Sequence, residues 1–199
     1  LELEVNNLRA LRLEPNAISP NVVGGYNGNT VTSGVAGAAV GGGGASGAIN
    51  SVSANYGTVP GGQGGAATHY GEMAYASGSF SASGDAQTSV YVLRNTSSGT
   101  TSTPLYLDGS TAKITLALNR ALTYDILVTG MADNGAAASY QFLGGIRRTS
   151  IGIAVIAPPI VTLNMETDST WNCSVGADPV NLALDIVCRG ATGLTVHWV

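Results

Sequence analysis

The feature that most constrains the fold of this chain is a long stretch without charged side chains. No Asp, Glu, Lys or Arg lies between Glu14 and Glu72, and residues 21–65 contain 15 of the 28 glycines in the 199-residue sequence. Intrinsic disorder normally combines low hydrophobicity with high net charge, whereas this stretch is uncharged and contains regularly placed valines. A flexible linker would not need those valines, so we expect the stretch to fold.

The valines follow a repeat. Val22, Val40 and Val59 each begin a V-x-G-G motif, and Asn29 and Asn50 each begin an Asn-x-Val segment between these motifs. Short β-prone segments separated by Gly and Asn are typical of a solenoid, because its corners require positive φ. Small uncharged side chains would also let three such solenoids pack around an axis without burying an unpaired charge. We predict a trimeric β-roll with two full repeats and the start of a third; a glycine-rich linker is the alternative.

The segment before the repeats, 1–14, is expected to lead into them. A turn is predicted at Asn6-Asn7, followed by a strand with Leu11 and Leu13 on one face and Arg12 on the other. The sequence begins at Leu1 without an initiator Met or a signal sequence, which we interpret as a fragment or a processed chain.

Beyond residue 70 the charges return and the pattern changes to an alternation of apolar and polar residues. About ten short strands are predicted, separated by turn sequences such as Asp108-Gly109 and Asn134-Gly135. Strands at this spacing are typical of a β-sandwich or a jelly roll, and the pattern does not choose between them. The whole chain is therefore predicted to be all-β, with a strand and connector over 1–14, a β-roll (solenoid) stalk over 15–69 and a β-sandwich or jelly-roll head over 70–199.

The two cysteines, Cys173 and Cys188, fall within one predicted hairpin. A turn at residues 178–181 would place them opposite each other, and Val175 opposite Ile186. A disulfide is geometrically possible. We nevertheless predict two reduced thiols, because free Cys is a common core residue.

Overall charge and hydropathy exclude two classes of partner. The formal net charge is −4 and the pI about 4.9, and the basic residues are scattered except for Arg147-Arg148, so nucleic acid is not expected as a partner. No apolar run approaches the roughly 18 residues of a membrane helix, so membrane insertion is not expected.

Few residues offer acid–base chemistry. Of the two histidines, His69 is expected to have a hydrogen-bonded structural role and His197 to face solvent from a strand. Glu166 and Asp168 form the nearest acidic pair, and a glycosidase would need two such carboxylates at a set separation, but solvated loop charges are the favoured interpretation.

Other candidate binding features have equally plain structural interpretations. Trp171 and Trp198 could stack on a sugar but are predicted to pack in the core or in a trimer interface. Arg147-Arg148 should place one guanidinium on each face of a strand, where one could engage an anionic glycan, but an ordinary charged edge is the favoured interpretation. Residues 42–47 match G-x-G-x-x-G without a following helix, so we expect no nucleotide site. We predict no catalytic, cofactor-binding or metal site, no cofactor, and assign no ligand-binding residues.

Two segments resemble proteins of known type. Residues 19–25, 29–31 and 56–59 are similar to the left-handed β-roll head repeats of trimeric autotransporter adhesins and of phage tail fibres. Residues 75–78, 84–94 and 107–110 resemble a C-terminal β domain found after such rolls in phage tail fibres.

The resemblance implies a non-enzymatic phage tail fibre tip that binds a host receptor. Its expected partners are two further copies of the chain, other fibre or tail proteins at the N-terminus, and a bacterial surface glycan. The expected location is the virion or an extracellular surface. A purely structural trimeric fibre and a polysaccharide-degrading tailspike are the alternatives.

Overall fold

A computed structural model describes residues 1–199 as all-β, without a helix. The chain forms two compact units, unit 1 (Leu1–Val92) and unit 2 (Leu93–Val199). The compositional boundary at 69/70 lies inside unit 1, because strands on both sides of it pair with one another.

Unit 1 consists of short strands, most of them only two to five residues long. In chain order they are β1 (Glu2–Val5), β2 (Leu8–Glu14), β3 (Asn21–Gly24), β4 (Thr30–Val31), β5 (Ala39–Val40), β6 (Ser51–Val52), β7 (Thr58–Val59), β8 (Gly62–Gln63), β9 (Ala66–Ala67), β10 (Met73–Ser77) and β11 (Gln87–Val90).

The glycine-rich stretch folds as two parallel ladders. Strands β3, β5 and β7 pair side by side, followed by β10, while β4, β6 and β9 form the second ladder. We call each passage of the chain from one strand of the first ladder to the next a rung. The two ladders enclose an apolar core of Val23, Val31, Val35, Ala38, Val40, Val52, Val59, Ala67 and Ala74.

The repeat predicted from the valines is out of phase by one position in its first rung. Val23, not Val22, pairs with the residue next in register, Val40, which in turn pairs with Val59. Successive side chains of a strand point to opposite faces. Val23 is therefore buried, whereas Val22 is 40% exposed on the outer face.

Buried asparagines join the rungs in a ladder of side-chain hydrogen bonds. Asn29 and Asn50 are both fully buried, and the backbone N–H of Asn50 donates to Asn29 Oδ1 at 3.0 Å. Nδ2 of Asn50 donates to the carbonyls of Gly42 and Gly62 at 2.9 and 3.0 Å, and its Oδ1 accepts from the N–H of Gly65 at 2.9 Å. The ladder satisfies backbone groups at rung corners that cannot pair within a strand.

Glycine is required at these corners for space as well as for φ. Gly43 has a φ of 66°, and a Cβ there would lie 2.0 Å from the carbonyl oxygen of Gly62 in the next rung. The glycine content therefore reflects backbone packed against backbone, and the stretch is not a linker.

Arg12 and Glu14, the charged residues nearest to the glycine-rich stretch on its N-terminal side, lie at one end of its core. Strands β1 and β2 form a hairpin around the predicted turn, in which Asn6 and Asn7 both have positive φ. Arg12 pairs with Val23 and so faces the core side, where its Nη2 lies 2.5 Å from Glu14 Oε1. The ion pair closes the core at the β2 end.

Unit 2 contains longer strands. They are β12 (Asn95–Ser98), β13 (Thr103–Pro104), β14 (Ile114–Thr115), β15 (Arg120–Ala132), β16 (Ala137–Thr149), β17 (Gly152–Val155), β18 (Ile160–Glu166), β19 (Asn172–Asp178), β20 (Ala183–Arg189) and β21 (Thr195–Trp198). Residues 70–199 thus form the strands β10 to β21, two more than the approximate count predicted from the sequence.

The strands of unit 2 form two sheets. The larger has the order β12-β21-β15-β16-β17, with β18 also pairing β16, and the smaller is built on β20, which pairs β13, β14 and β19. The long strands β15 and β16 form one hairpin whose turn contains the predicted Asn134-Gly135.

The core of unit 2 is aromatic. Trp198 is 2% exposed, donates its Nε1–H to Ser97 Oγ at 2.9 Å, and packs edge-on against Trp171 at a centroid distance of 5.4 Å. Gly130 of β15 lies directly beneath the Trp198 ring, since a Cβ there would be 2.2 Å from Cζ3. Both tryptophans are therefore core residues, as predicted.

The cysteine hairpin has the predicted register but the other oxidation state. Cys173 pairs with Cys188 and Val175 with Ile186 between β19 and β20, and the two cysteines form a disulfide. The prediction of two reduced thiols is therefore wrong. The position of the turn and the alternation of the strands predict the register of the hairpin. They do not predict whether two thiols that face each other are oxidised to a disulfide.

Candidate functional surfaces

The most concentrated polar chemistry of unit 1 surrounds a buried carboxylate, Glu72, which is 1% exposed. It follows the tight turn at residues 68–71 and immediately precedes β10. The backbone N–H groups of Thr68 and His69 donate to its Oε2 at 2.7 and 2.9 Å, and His69 Nδ1 lies 3.0 Å from the same oxygen. The carboxylate thus holds the turn closed.

The second oxygen of Glu72 binds the last strand of the sheet. Its Oε1 accepts hydrogen bonds from Ser89 Oγ at 2.6 Å, Tyr91 OH at 2.9 Å and Gln87 Nε2 at 3.1 Å. Gln87 and Ser89 lie on the core face of β11 and Tyr91 follows it. Glu72 therefore fastens β11 to the end of the core opposite the Arg12–Glu14 pair.

The electrostatics of this Glu72 cluster favour the ionised carboxylate. Burial alone would raise the pKa of Glu72, but hydrogen bonds from His69 and Ser89 outweigh it, and the pKa is lowered from its usual value of 4.5. Burial, together with the neighbouring Glu72 charge, raises the pKa of the Tyr91 hydroxyl. Tyr91 accordingly remains a hydrogen-bond donor at physiological pH. The Glu72 cluster therefore has the geometry of a structural hydrogen-bond network.

We expect Glu72→Gln to destabilise unit 1 by about 2–4 kcal/mol at neutral pH, because an amide brings donors of its own to a place where donors already converge on both oxygens. A lowered folded-state pKa gives stability that is present above about pH 4.5, the unfolded value, and is lost as pH falls through the folded pKa. Thermal melts followed by circular dichroism across a pH series would measure both effects.

Glu4→Gln is the matched control, since Glu4 is exposed on β1. The control should melt like the wild type and keep its loss of stability in acid, while Glu72→Gln should flatten that loss. If the two variants lost stability equally as the pH falls, Glu72 would not be the group responsible for the loss of stability in acid.

The outer side of the larger sheet of unit 1 carries a row of uncharged, mostly apolar side chains, here called the apolar face. One residue from each of six neighbouring strands lies in register across this face. Leu3, Leu11 and Tyr75 lie in the rows next to it and add further apolar side chains. Leu13, Val22, Met73 and Val90 are 39 to 53% exposed. The row consists of Leu13, Val22, Ala39, Thr58, Met73 and Val90.

No charged side chain of β2, β3, β5, β7, β10 or β11 lies in that row. The charged neighbours on β2, Arg12 and Glu14, face the core side instead. A broad exposed apolar surface is uncommon on a monomer and usually marks an interaction site.

In unit 2 the residues considered for chemistry are dispersed. His197 is exposed on β21, as predicted, with Nε2 3.6 Å from Asp133 Oδ1. Asp168 caps a turn through Thr170, and Glu166 ends β18.

The adjacent arginines separate as predicted, one to each face of β16. Arg147 is exposed, whereas Arg148 donates from Nη1 to the carbonyl of Leu116 at 2.7 Å. Residues 42–47, the G-x-G-x-x-G match, are rung corners of unit 1 and precede no helix.

Two polar arrangements could not be predicted from the sequence because their residues are far apart in the chain. Lys113 Nζ contacts Asp178 Oδ2 at 2.7 Å and Asp185 Oδ1 at 3.0 Å. Burial would lower the pKa of Lys113, but the two carboxylates raise it. The other is a shallow hollow of about 150 Å³ lined by Ser102, Asn172, Ser174, Val187, Cys188 and Arg189.

No protein-family model matches the chain, and a search of curated proteins finds no match either. No three His, Cys, Asp or Glu side chains come together as a metal site would require. No helix long and apolar enough to cross a membrane is present.

Proposed function

We propose that the chain is a non-enzymatic fibre protein in which unit 1 is a β-roll stalk segment that self-associates through its apolar face, and unit 2 is a β-sandwich head. The observation that carries the proposal is the apolar face, an exposed row in register across six strands. Stacked rungs suit a fibre, because each contacts only its neighbours and the stack extends in one direction.

The apolar face has the chemistry of a self-association surface. Burying apolar area contributes about 25 cal/mol per Å², and here no charge has to be desolvated with it. Three copies are proposed because the repeats resemble those of trimeric adhesins and phage tail fibres. The head would then be presented at a virion or cell surface.

A double substitution on the apolar face tests the proposal. We expect wild-type chain to assemble, by light scattering, to a whole multiple of three copies of 20.0 kDa each. Val22→Lys with Met73→Lys should remove the threefold contact and give a mass below three copies, because each copy would bring two unpaired ammonium groups into the interface.

Thr30→Lys is the control, since Thr30 is an exposed strand residue of the other ladder. It should leave the mass of the wild-type assembly unchanged. A wild-type chain that is monomeric at all concentrations would refute the trimeric stalk.

The finer proposal is a receptor-binding tip of phage tail-fibre type. The hollow beside Arg189 is the place in unit 2 where an exposed guanidinium, an amide and hydroxyl groups converge, as a surface glycan would require. Binding of the labelled full chain to an array of bacterial surface glycans tests this role. Absence of binding to the array and to bacterial cells would refute it.

A purely structural fibre is the second candidate. It is favoured by the burial of both tryptophans, which places the rings best suited to stacking on sugars inside the core. In that case the chain would assemble and bind no glycan.

A further inference from the structure

Strand β18 (Ile160–Glu166) lies at a free edge of the larger sheet of unit 2. It pairs antiparallel with β16 on one side and with no strand on the other. A free edge presents a row of unpaired backbone N–H and C=O groups and is a template for another strand.

The hydrogen bond at the end of the β16–β18 pairing shows which backbone N–H and C=O groups of β18 point away from β16. The N–H of Thr167 donates to the carbonyl of Ala137 at 3.0 Å, so residue 167 turns its backbone groups toward β16. Because this direction alternates along an antiparallel strand, Met165 also faces β16, while Asn164 and Glu166 point their N–H groups away from it. Asn164, at the middle of the outer row, offers both a free donor and a free acceptor.

The side chains of β18 leave the edge accessible. Ile160 is 64%, Val161 53% and Met165 58% exposed, and Leu127 of the same sheet is 70% exposed. Natural edge strands are usually protected by charge, by proline or by a covering segment. Pro158-Pro159 interrupts the edge just before β18, but Ile160 to Met165 contains neither proline nor charge.

The charge pattern identifies the occupant. From Thr149 to Met165 the chain contains no ionisable side chain. A charged peptide would find no partner there, whereas a second copy of the same segment brings an uncharged strand rich in β-branched and other apolar residues to an edge of identical chemistry.

We propose that the free edge of β18 is an intermolecular strand-pairing site for a second copy of this chain. The pairing joins the sheets of two copies by backbone hydrogen bonds at Asn164 and Glu166. Exposed apolar side chains of β18 on each face pack against the added strand. It uses a different unit from the apolar face and does not depend on the stalk being trimeric.

Amide hydrogen exchange of the full chain, alone in solution, tests the pairing directly. The N–H groups of Asn164 and Glu166 should exchange at least about tenfold more slowly at high than at low protein concentration. Equal exchange rates across the concentration series would overturn the proposal. Protection that appears only when an unrelated strand peptide is added would assign the edge to a foreign partner and overturn it too.

Asn164→Pro provides the matching variant, and Asn164→Thr its control. Proline removes an N–H that β16 does not use and is tolerated on edge strands, whereas threonine keeps the N–H and suits a strand. Asn164→Pro should lower the mass of the assembly, and Asn164→Thr should not; equal masses for the two would overturn the proposal.

The same masses separate this inference from the proposed function. The double variant of the apolar face tests the threefold contact, and Asn164→Pro tests the β18 contact. If the stalk were monomeric, β18 pairing would still give protection at Asn164; if β18 did not pair, the stalk would still give the trimer mass. Circular dichroism of each variant confirms that a lower mass does not reflect unfolding.

Discussion

Asn50→Ala is expected to destabilise the stacked rungs of unit 1, lowering the free energy of unfolding by about 2–6 kcal/mol. The substitution removes the amide that bonds the carbonyls of Gly42 and Gly62 and the N–H of Gly65. Asn50 is fully buried and its bond to the N–H of Gly65 is buried with it, so water does not replace that bond. The carbonyl of Gly62 keeps the N–H of Gly44 as a donor at 2.8 Å, so the two groups that lose the partner supplied by Asn50 are the carbonyl of Gly42 and the N–H of Gly65. Each such group costs about 1–3 kcal/mol, and a domain's whole stability is about 5–15 kcal/mol.

Asn27→Ala is the matched control, because Asn27 is exposed and its side chain takes no part in the ladder. Its effect should stay within about 0.5 kcal/mol. Denaturant titration followed by circular dichroism, with a hydrogen-exchange map of residues 21–67, measures both. Similar midpoints for the two variants would show that the asparagine ladder does not hold the rungs together.

Gly130→Ala is expected to destabilise unit 2 by about 3 kcal/mol or more through overpacking. The new methyl group would lie 2.2 Å from Trp198 Cζ3 and 2.4 Å from Cε3. The ring cannot move aside easily, since Ser97 accepts its N–H and Trp171 packs against it. A shift of Trp198 would therefore disturb the whole aromatic core.

Gly176→Ala is the corresponding control in β19, where a Cβ meets no atom within 4 Å. It should be neutral or slightly stabilising, since alanine restricts the unfolded chain more than glycine does. Tryptophan fluorescence during urea unfolding reports on the core directly. Equal midpoints for Gly130→Ala and Gly176→Ala would contradict the close packing of β15 on Trp198.

The pairing of the Asn-x-Val segments was predictable because their signal is local and repeated. The spacing of Asn29 and Asn50 in the sequence corresponds to the parallel pairing of β4 with β6 in the structure. The phase of the first rung was not predictable, since Val22 and Val23 are chemically identical and only the pairing with β5 decides which one is buried. A neighbouring pair of identical residues contains no period-two signal.

The Glu72 cluster could not be predicted, because nothing in the sequence connects a single Glu with Gln87, Ser89 and Tyr91. The absence of charge from residue 15 to 71 did mark its position indirectly. Glu14 and Glu72, the two carboxylates that bound this interval, lie at the two ends of the core. The interval is uncharged because its rungs have neighbours on both sides.

In unit 2, the pairing of Cys173 with Cys188 was predictable because it depends on alternation within one short hairpin. The edge position of β18 was not, because it depends on which strand pairs with the outer side of β16 in the long β15–β16 hairpin. Sequence patterns show which face of a strand is apolar. They do not show which strand is last in a sheet.

The register of the rungs has a consequence for how such a protein can vary in length. Val23, Val40 and Val59 occupy successive strands, and each step between them advances the stack by one interstrand spacing of about 4.8 Å. Growth is thus about 0.3 Å per residue, against about 3.3 Å for an extended strand. An insertion into a strand would displace the asparagine and glycine columns of every later rung, so natural relatives should differ in reach by whole repeats, in steps of about 4.8 Å.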